Sequence, residues 1–323
     1  MSETRASLAA LEAASALVHS VFPGTPAYRW PLLEARLGTE LWIKHENHTP
    51  VGAFKLRGGL VFLNDLARAP NRPRGVITAT RGNHGQSIAT ASRRFGMAAT
   101  IVVPDGNSPE KNAAMQAQGA DLRVFGHDFQ AAADHAKELA AAEGLMMLPS
   151  FHPLLVQGTG TYALEFFRAA GPLDVVYVPI GLGSGICGMI SARDALGLTT
   201  EIVGVVAEGA LSYKLSFEAG HPVSTERAET LADGMACRVP VAEAVALINS
   251  GAARVVSVND GQIAEAMRIL FSDTHNVAEG AGAAALAAAL ADHDRLAGRR
   301  VGAVLSGGNV DTAIYAKVLE GSL

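Results

Sequence analysis

The chain has 323 residues, 49% of them apolar, enough to bury a large core and to fill two domains. Its formal charge of -5, with lysines and arginines dispersed and no cationic arm, argues against a nucleic-acid partner, whose phosphates call for a basic surface. Cys187 and Cys237 show no metal-ligand spacing and make no disulfide framework, so both read as buried thiols.

In chain order, Met1 to Ser20 carries Glu3, Arg5 and Glu12 through an alanine-rich helical pattern, without the apolar core of a signal peptide or the length of a membrane span. A cytoplasmic location is the expectation. Leu41 to Lys44, Val76 to Thr78, Thr100 to Val103, Val175 to Ile180, Ile202 to Val206, Val255 to Val258 and Val301 to Leu305 are short apolar runs that read as buried strands. Between them Ser87 to Phe95, Glu110 to Gln118, Gln130 to Ala142, Leu154 to Ala169, Gly261 to Phe271 and Gly280 to Ala291 have the length of crossover helices. The alternation predicts an α/β protein with parallel, doubly wound sheets. Pro149 and Gly171-Pro172 interrupt it.

Four segments carry candidate chemistry. Gly52-Ala53-Phe54-Lys55-Leu56-Arg57-Gly58-Gly59 sets a lysine behind small and aromatic residues. Held partly out of water, with Arg57 able to add positive charge, Lys55 would have a lowered pKa and could attack a carbonyl to form a Schiff base. Thr80-Arg81-Gly82-Asn83-His84-Gly85-Gln86 opens a helix, whose first amides and dipole suit a carboxylate. Gly181-Leu182-Gly183-Ser184-Gly185 follows an apolar run and leads into helix-compatible sequence, so successive backbone N–H groups converge on one point that suits a phosphate. Alone, that cluster also serves as a plain strand-to-helix turn. Ser306-Gly307-Gly308-Asn309 follows the last apolar run, putting Ser306 at the carboxyl end of a buried strand, where ligands bind in open α/β sheets.

In this order and company, the four segments resemble the fold-type II pyridoxal phosphate enzymes, in the serine/threonine dehydratase (threonine ammonia-lyase) and serine racemase branch. The resemblance runs from about Pro26 to the end of the chain. It implies a two-domain, tryptophan synthase β-like architecture, with a small α/β domain inserted at roughly 46–150 and a large pyridoxal phosphate-binding domain built from 1–45 and 151–323. It implies Lys55 as the catalytic, cofactor-linked lysine, with Phe54, Asn83, the Gly181 to Gly185 loop (Gly181, Leu182, Gly183, Ser184, Gly185) and Ser306 around the cofactor. Asn83 would meet its phenolic oxygen and Ser306 its ring nitrogen. Thr80, Arg81, Gly82, Asn83 and His84 would take the substrate carboxylate, and Asp233 and Glu279 would stand behind the site. A homodimer acting on a small amino acid, with no nucleic acid and no membrane, completes what it implies.

Three departures refine that expectation. Leu182 and Ser184 interrupt what is usually an unbroken glycine run. Arg81 stands where racemases of this branch carry a serine working as a second acid-base group, and a guanidinium does not deprotonate usefully. At positions matched to a divalent-cation site the chain reads Val206 and Ser212, which implies no metal, with Glu208 and Asp233 as the nearby acidic groups. The implied activity is loss of the β-hydroxyl of a 3-hydroxy amino acid, giving a 2-oxo acid and ammonia, with racemisation or non-catalytic cofactor carriage as the rival readings. With only helix-length sequence after Ser306, no amino-acid-sensing domain is expected there.

Overall fold

The computed structural model describes residues 4–323, so Met1 to Glu3 of the expected N-terminal helix lie outside them. Two separate sheets organise the chain. The larger has six strands: β1 (Ala27–Arg29), β2 (Leu41–His45), β7 (Val175–Pro179), β8 (Glu201–Ala207), β9 (Arg254–Val258) and β10 (Val301–Leu305), in the order β1-β2-β10-β7-β8-β9. The smaller has four: β3 (Gly75–Ala79), β4 (Ala98–Val103), β5 (Asp121–Val124) and β6 (Met146–Met147), in the order β5-β4-β3-β6. Every pairing is parallel except the edge pair β1–β2. The α/β expectation holds, and every apolar run read as a strand is one.

Helices cover both faces of each sheet, as parallel strands buried on two sides require. On the larger sheet, one layer packs α2 (Pro31–Leu37), α11 (Asp260–Thr274) and α12 (Gly280–Ala291), and the other packs α7 (Pro153–Ala170), α8 (Ser184–Ala195) and α10 (Ala242–Gly251). On the smaller sheet, α3 (Lys55–Arg68), α4 (Asn83–Arg94) and α1 (Leu8–His19) share one core, and α6 (Phe129–Glu143) covers the other face. Local chemistry starts these helices. Ser108 caps α5 (Pro109–Ala117) by accepting from the Lys111 amide, Asp128 caps α6, and Asn259 forms a reciprocal capping box with Gln262 on α11. The helices α9 (Ser212–Ala219) and α13 (Thr312–Glu320) complete the chain.

Two close approaches position the site. Gly158 on α7 lies so near α3 that a Cβ there would stand 2.4 Å from the Arg57 carbonyl oxygen, so the two helices touch backbone to backbone beside Lys55. In both sheets the chain changes direction next to the strand that carries a functional loop: β7 beside β10 in the larger, β3 beside β6 in the smaller. The carboxyl ends of these strands are where such sheets bind ligands.

Candidate active site

The carboxyl ends of β3, β7 and β10 and the start of α3 enclose a cavity of about 740 Å³ whose walls include Lys55, Asn83, Gly183, Glu279 and Ser306. All four sequence segments meet there.

Lys55 is the first residue of α3 and half-buried. Its Nζ donates to Ser184 Oγ at 3.4 Å and stands 5.0 Å from the Phe54 ring centroid. Burial pulls the amine down to about 8, with Glu279 pulling weakly the other way. The charge expected from Arg57 plays no part. Arg57 is fully buried and points away from the cavity, bonding Glu46 Oε2 through Nε at 2.7 Å and Glu165 Oε1 through Nη1 at 2.6 Å. Its charge is neutralised by these two carboxylates, so desolvation does the lowering.

The glycine loop turns from β7 into α8. Gly183 has φ +97°, open to glycine and strained for other residues, and a Cβ at Gly181 would stand 2.3 Å from the Gly234 carbonyl oxygen. From Gly181 through Ile186 no backbone N–H has an acceptor among the described residues. Such a run of free donors at the start of a 12-residue helix fits a phosphate dianion. The interruptions do not close it: the Leu182 carbonyl is held by the Tyr213 hydroxyl at 2.9 Å, and Ser184 directs its hydroxyl at Lys55. Pyridoxal phosphate needs an amine, a phosphate cradle and a ring pocket, and these residues fit it.

Ser306, 5% exposed, directly follows β10, and its hydroxyl reaches only the Ala281 carbonyl, at a long 3.3 Å. Opposite, Asn83 donates to Glu279 Oε1 at 2.6 Å and accepts from Asn309 at 2.8 Å. The Thr80 hydroxyl accepts from the Gly82 and Gly85 amides, which shapes the loop, while the Asn83 and His84 amides have no acceptor among the described residues. His84 Nε2 is buried without a partner, and burial, then Lys55, pushes its imidazole down to about 3. It is therefore neutral at physiological pH. Arg81 is exposed on the cavity wall and makes no ion pair among the described residues.

One site residue escaped sequence reading. Lys111 on α5 lays its stem over Gly82 and puts Nζ 2.6 Å from Asp233 Oδ2 and 3.4 Å from Glu279 Oε2. Burial opposes its charge, but Glu279 and Asp233 outweigh that and raise it above the ordinary lysine range. Glu279 is pushed up, by burial first, despite Lys111. No motif surrounds Lys111, and its partners lie more than a hundred residues away in sequence, so no local signal marks it. Among the described residues no cluster of metal-ligating side chains occurs. Val206 lies in the core, Ser212 bonds the Cys237 carbonyl, Glu208 is exposed and Asp233 is turned to Lys111. Cys187 and Cys237 are free and buried, as expected.

Residues 20–307 match the family described as "Pyridoxal-phosphate dependent enzyme". The chain belongs to this family. It uses pyridoxal phosphate as its cofactor. Its relatives include the biosynthetic L-threonine dehydratase of Salmonella typhimurium, 35% identical over 291 residues, a match that covers 89% of this chain and 56% of that protein. The chain thus spans about half the length of that relative. It is 32% identical over 298 residues to the L-threo-3-hydroxyaspartate ammonia-lyase of Saccharomyces cerevisiae, covering 92% of this chain and 91% of the other. The solved threonine deaminase isoform 2 of Solanum lycopersicum superposes with a TM-score of 0.88 at 31% identity, covering 98% of this chain and 94% of that one.

Proposed function

We propose that this enzyme is a dehydratase, or ammonia-lyase, that removes the β-hydroxyl of a 3-hydroxy amino acid and yields a 2-oxo acid and ammonia. The observation that carries the reading is the desolvated amine of Lys55, lowered to about 8 and facing the cavity while Lys111 is held charged by Glu279 and Asp233, with an arginine rather than an acid-base group at position 81. Pyridoxal phosphate, when bound, withdraws electrons from the substrate α-carbon. Everything else falls to the chain. The free amides from Gly181 to Ile186 would hold the cofactor's phosphate, Phe54 would pack beside its ring, and Ser306 and Asn83 would serve its ring nitrogen and phenolic oxygen. A serine there, unlike a carboxylate, does not enforce a charged ring, which favours elimination over chemistry needing a long-lived carbanion. The Asn83 and His84 amides, on a loop shaped by Thr80 and Gly82, orient the α-carboxylate. Lys55 Nζ takes the α-proton from one face. The substrate then loses water and takes up water again as ammonia leaves, so the conversion is redox-neutral.

Borohydride treatment of the yellow holoenzyme followed by peptide mapping tests the assignment of Lys55. A covalent adduct on Lys55, together with loss of 2-oxo acid release in Lys55→Ala, is the expected result, and an adduct on another lysine overturns it. The division into a large unit (1–45 and 151–323) and an inserted one (46–150) is part of the same reading, supported by strand membership of the two sheets. So are a homodimer, carried over from the family resemblance, and a cytoplasmic location, supported by two buried free thiols. No helix among the described residues is long and apolar enough to cross a membrane.

A further inference from the structure

The cations that line the cavity are unequally engaged. Lys111 is held between Asp233 and Glu279, and Arg238 donates to the Glu226 carbonyl. Arg81 makes no ion pair and no hydrogen bond among the described residues, although it is one residue from Gly82 and two from the free Asn83 amide. Arg227, another lining residue, also lacks an ion pair among the described residues, but it stands next to Glu226 and two residues from Glu229 in the chain. Besides the phosphate cradle, the cavity therefore offers two anion-binding features side by side: backbone donors at the start of α4, and a guanidinium two residues before them. A monocarboxylic amino acid uses one of the two. A guanidinium fork binds a carboxylate through two parallel, charge-assisted hydrogen bonds, which a serine or a lysine does not reproduce.

We propose that Arg81 is a specificity-determining residue that binds a second carboxylate, so that the substrate is a 3-hydroxy amino acid with a dicarboxylic skeleton. This rests on the dehydratase reading and narrows it. The Asn83 and His84 amides take the α-carboxylate, and Arg81 takes the side-chain carboxylate next to the carbon that loses its hydroxyl. Water leaves and returns and ammonia is released, so the product is a 2-oxo dicarboxylic acid and no oxidant is needed.

The test compares kcat/KM of the holoenzyme for L-threo-3-hydroxyaspartate, L-threonine and L-serine, in wild type, Arg81→Ser, Arg81→Lys and Arg227→Ser. Wild type should prefer the dicarboxylic substrate by at least about tenfold, and Arg81→Ser should lower that ratio by roughly 10- to 100-fold, mostly through KM, as loss of a charged hydrogen-bonding pair does. Arg81→Lys should fall between, and Arg227→Ser should keep the wild-type ratio. An unchanged ratio in Arg81→Ser, or a collapse seen in Arg227→Ser instead, overturns the assignment. A binding arm separates this inference from the reaction itself. Succinate and malonate should raise the melting temperature of wild-type holoenzyme and have a markedly smaller effect on Arg81→Ser. If no 3-hydroxy amino acid releases a 2-oxo acid, the dehydratase reading fails while the dicarboxylate shift still decides the role of Arg81. If threonine turns over but dicarboxylates bind wild type and Arg81→Ser alike, the role of Arg81 alone is refuted.

Discussion

Asn83 Nδ2 donates to Glu279 Oε1 at 2.6 Å, joining the first residue of α4, which follows a strand of the smaller sheet, to the residue that precedes α12 against the larger. The bond holds Asn83 in place from behind, and Asn309 fixes its other amide atom. Glu279→Ala leaves the Asn83 amide and Lys111 each short of a buried partner. Pyridoxal phosphate affinity should fall about 10- to 100-fold, the scale of one charged hydrogen bond, with a smaller loss in Glu279→Gln, which still accepts from Asn83. Fluorescence titration of the apoprotein checks this, and wild-type affinity in Glu279→Ala would contradict it.

Lys55 carries a stability cost that its chemistry requires. Its amine is pulled down to about 8 in the folded protein from an ordinary 10.5, so the unfolded chain binds more protons between these values and apoprotein stability should rise with pH across that window. Below pH 8 the amine is charged in both states and the cost is present in full, at most about 3 kcal/mol. Apo Lys55→Met, which keeps the stem, should be more stable than wild type at pH 7, with the gain fading towards pH 10.5. Urea unfolding at several pH values measures it. A pH-independent difference would show that burial of charge is not the cause.

Two residues after Lys55 in the chain, Arg57 joins the buried Glu46 and Lys44 and the partly buried Glu165 in a network that ties α3, α7 and β2 together. Burial would raise the Glu165 carboxyl, but Arg57 and Lys44 outweigh it and hold it down at about 2. Its contribution is therefore present above the ordinary carboxylate value and lost as pH falls towards 2. Glu165→Gln should cost about 3–5 kcal/mol at pH 7, the usual result of stranding a buried charge, and the gap from wild type should narrow between pH 4.5 and 2. Equal acid sensitivity of the two proteins would count against this role.

With Ser212 bonded to a backbone carbonyl and Asp233 engaged by Lys111, no cluster of metal-ligating side chains remains among the described residues. Exhaustive EDTA treatment should leave turnover and melting temperature unchanged. A loss of either that magnesium or calcium reverses would mean that Glu208, Asp233 or backbone oxygens form a cation site.

Much of this arrangement was legible in the sequence, because its signals are local. Strands such as Val301–Leu305 are buried on both sides and read as unbroken apolar runs, and the glycine, lysine and asparagine positions belong to contiguous motifs. Short edge strands were not legible. Ala27–Arg29 is half-exposed and Asp121–Val124 has no fully buried residue, so neither forms an apolar run, and Met146–Met147 pairs over only two residues. The pairing of Arg57 with Glu165 and of Lys111 with Asp233 was equally hidden, since each spans more than a hundred positions and depends on how the helices pack. Sequence context suggested that Arg57 would activate Lys55, whereas packing turned it into a buried anchor.

The most direct test of one-faced elimination is a single time course with the fastest 3-hydroxy amino acid substrate, quantifying 2-oxo acid formed and the chirality of the amino acid that remains. With Lys55 as the only base and Arg81 unable to return a proton on the other face, the 2-oxo acid should accumulate while the residual substrate keeps its L configuration at the α-carbon. Accumulation of the D-configured amino acid at a rate comparable to the 2-oxo acid would contradict that, and would mean that a second proton donor reaches the face opposite Lys55.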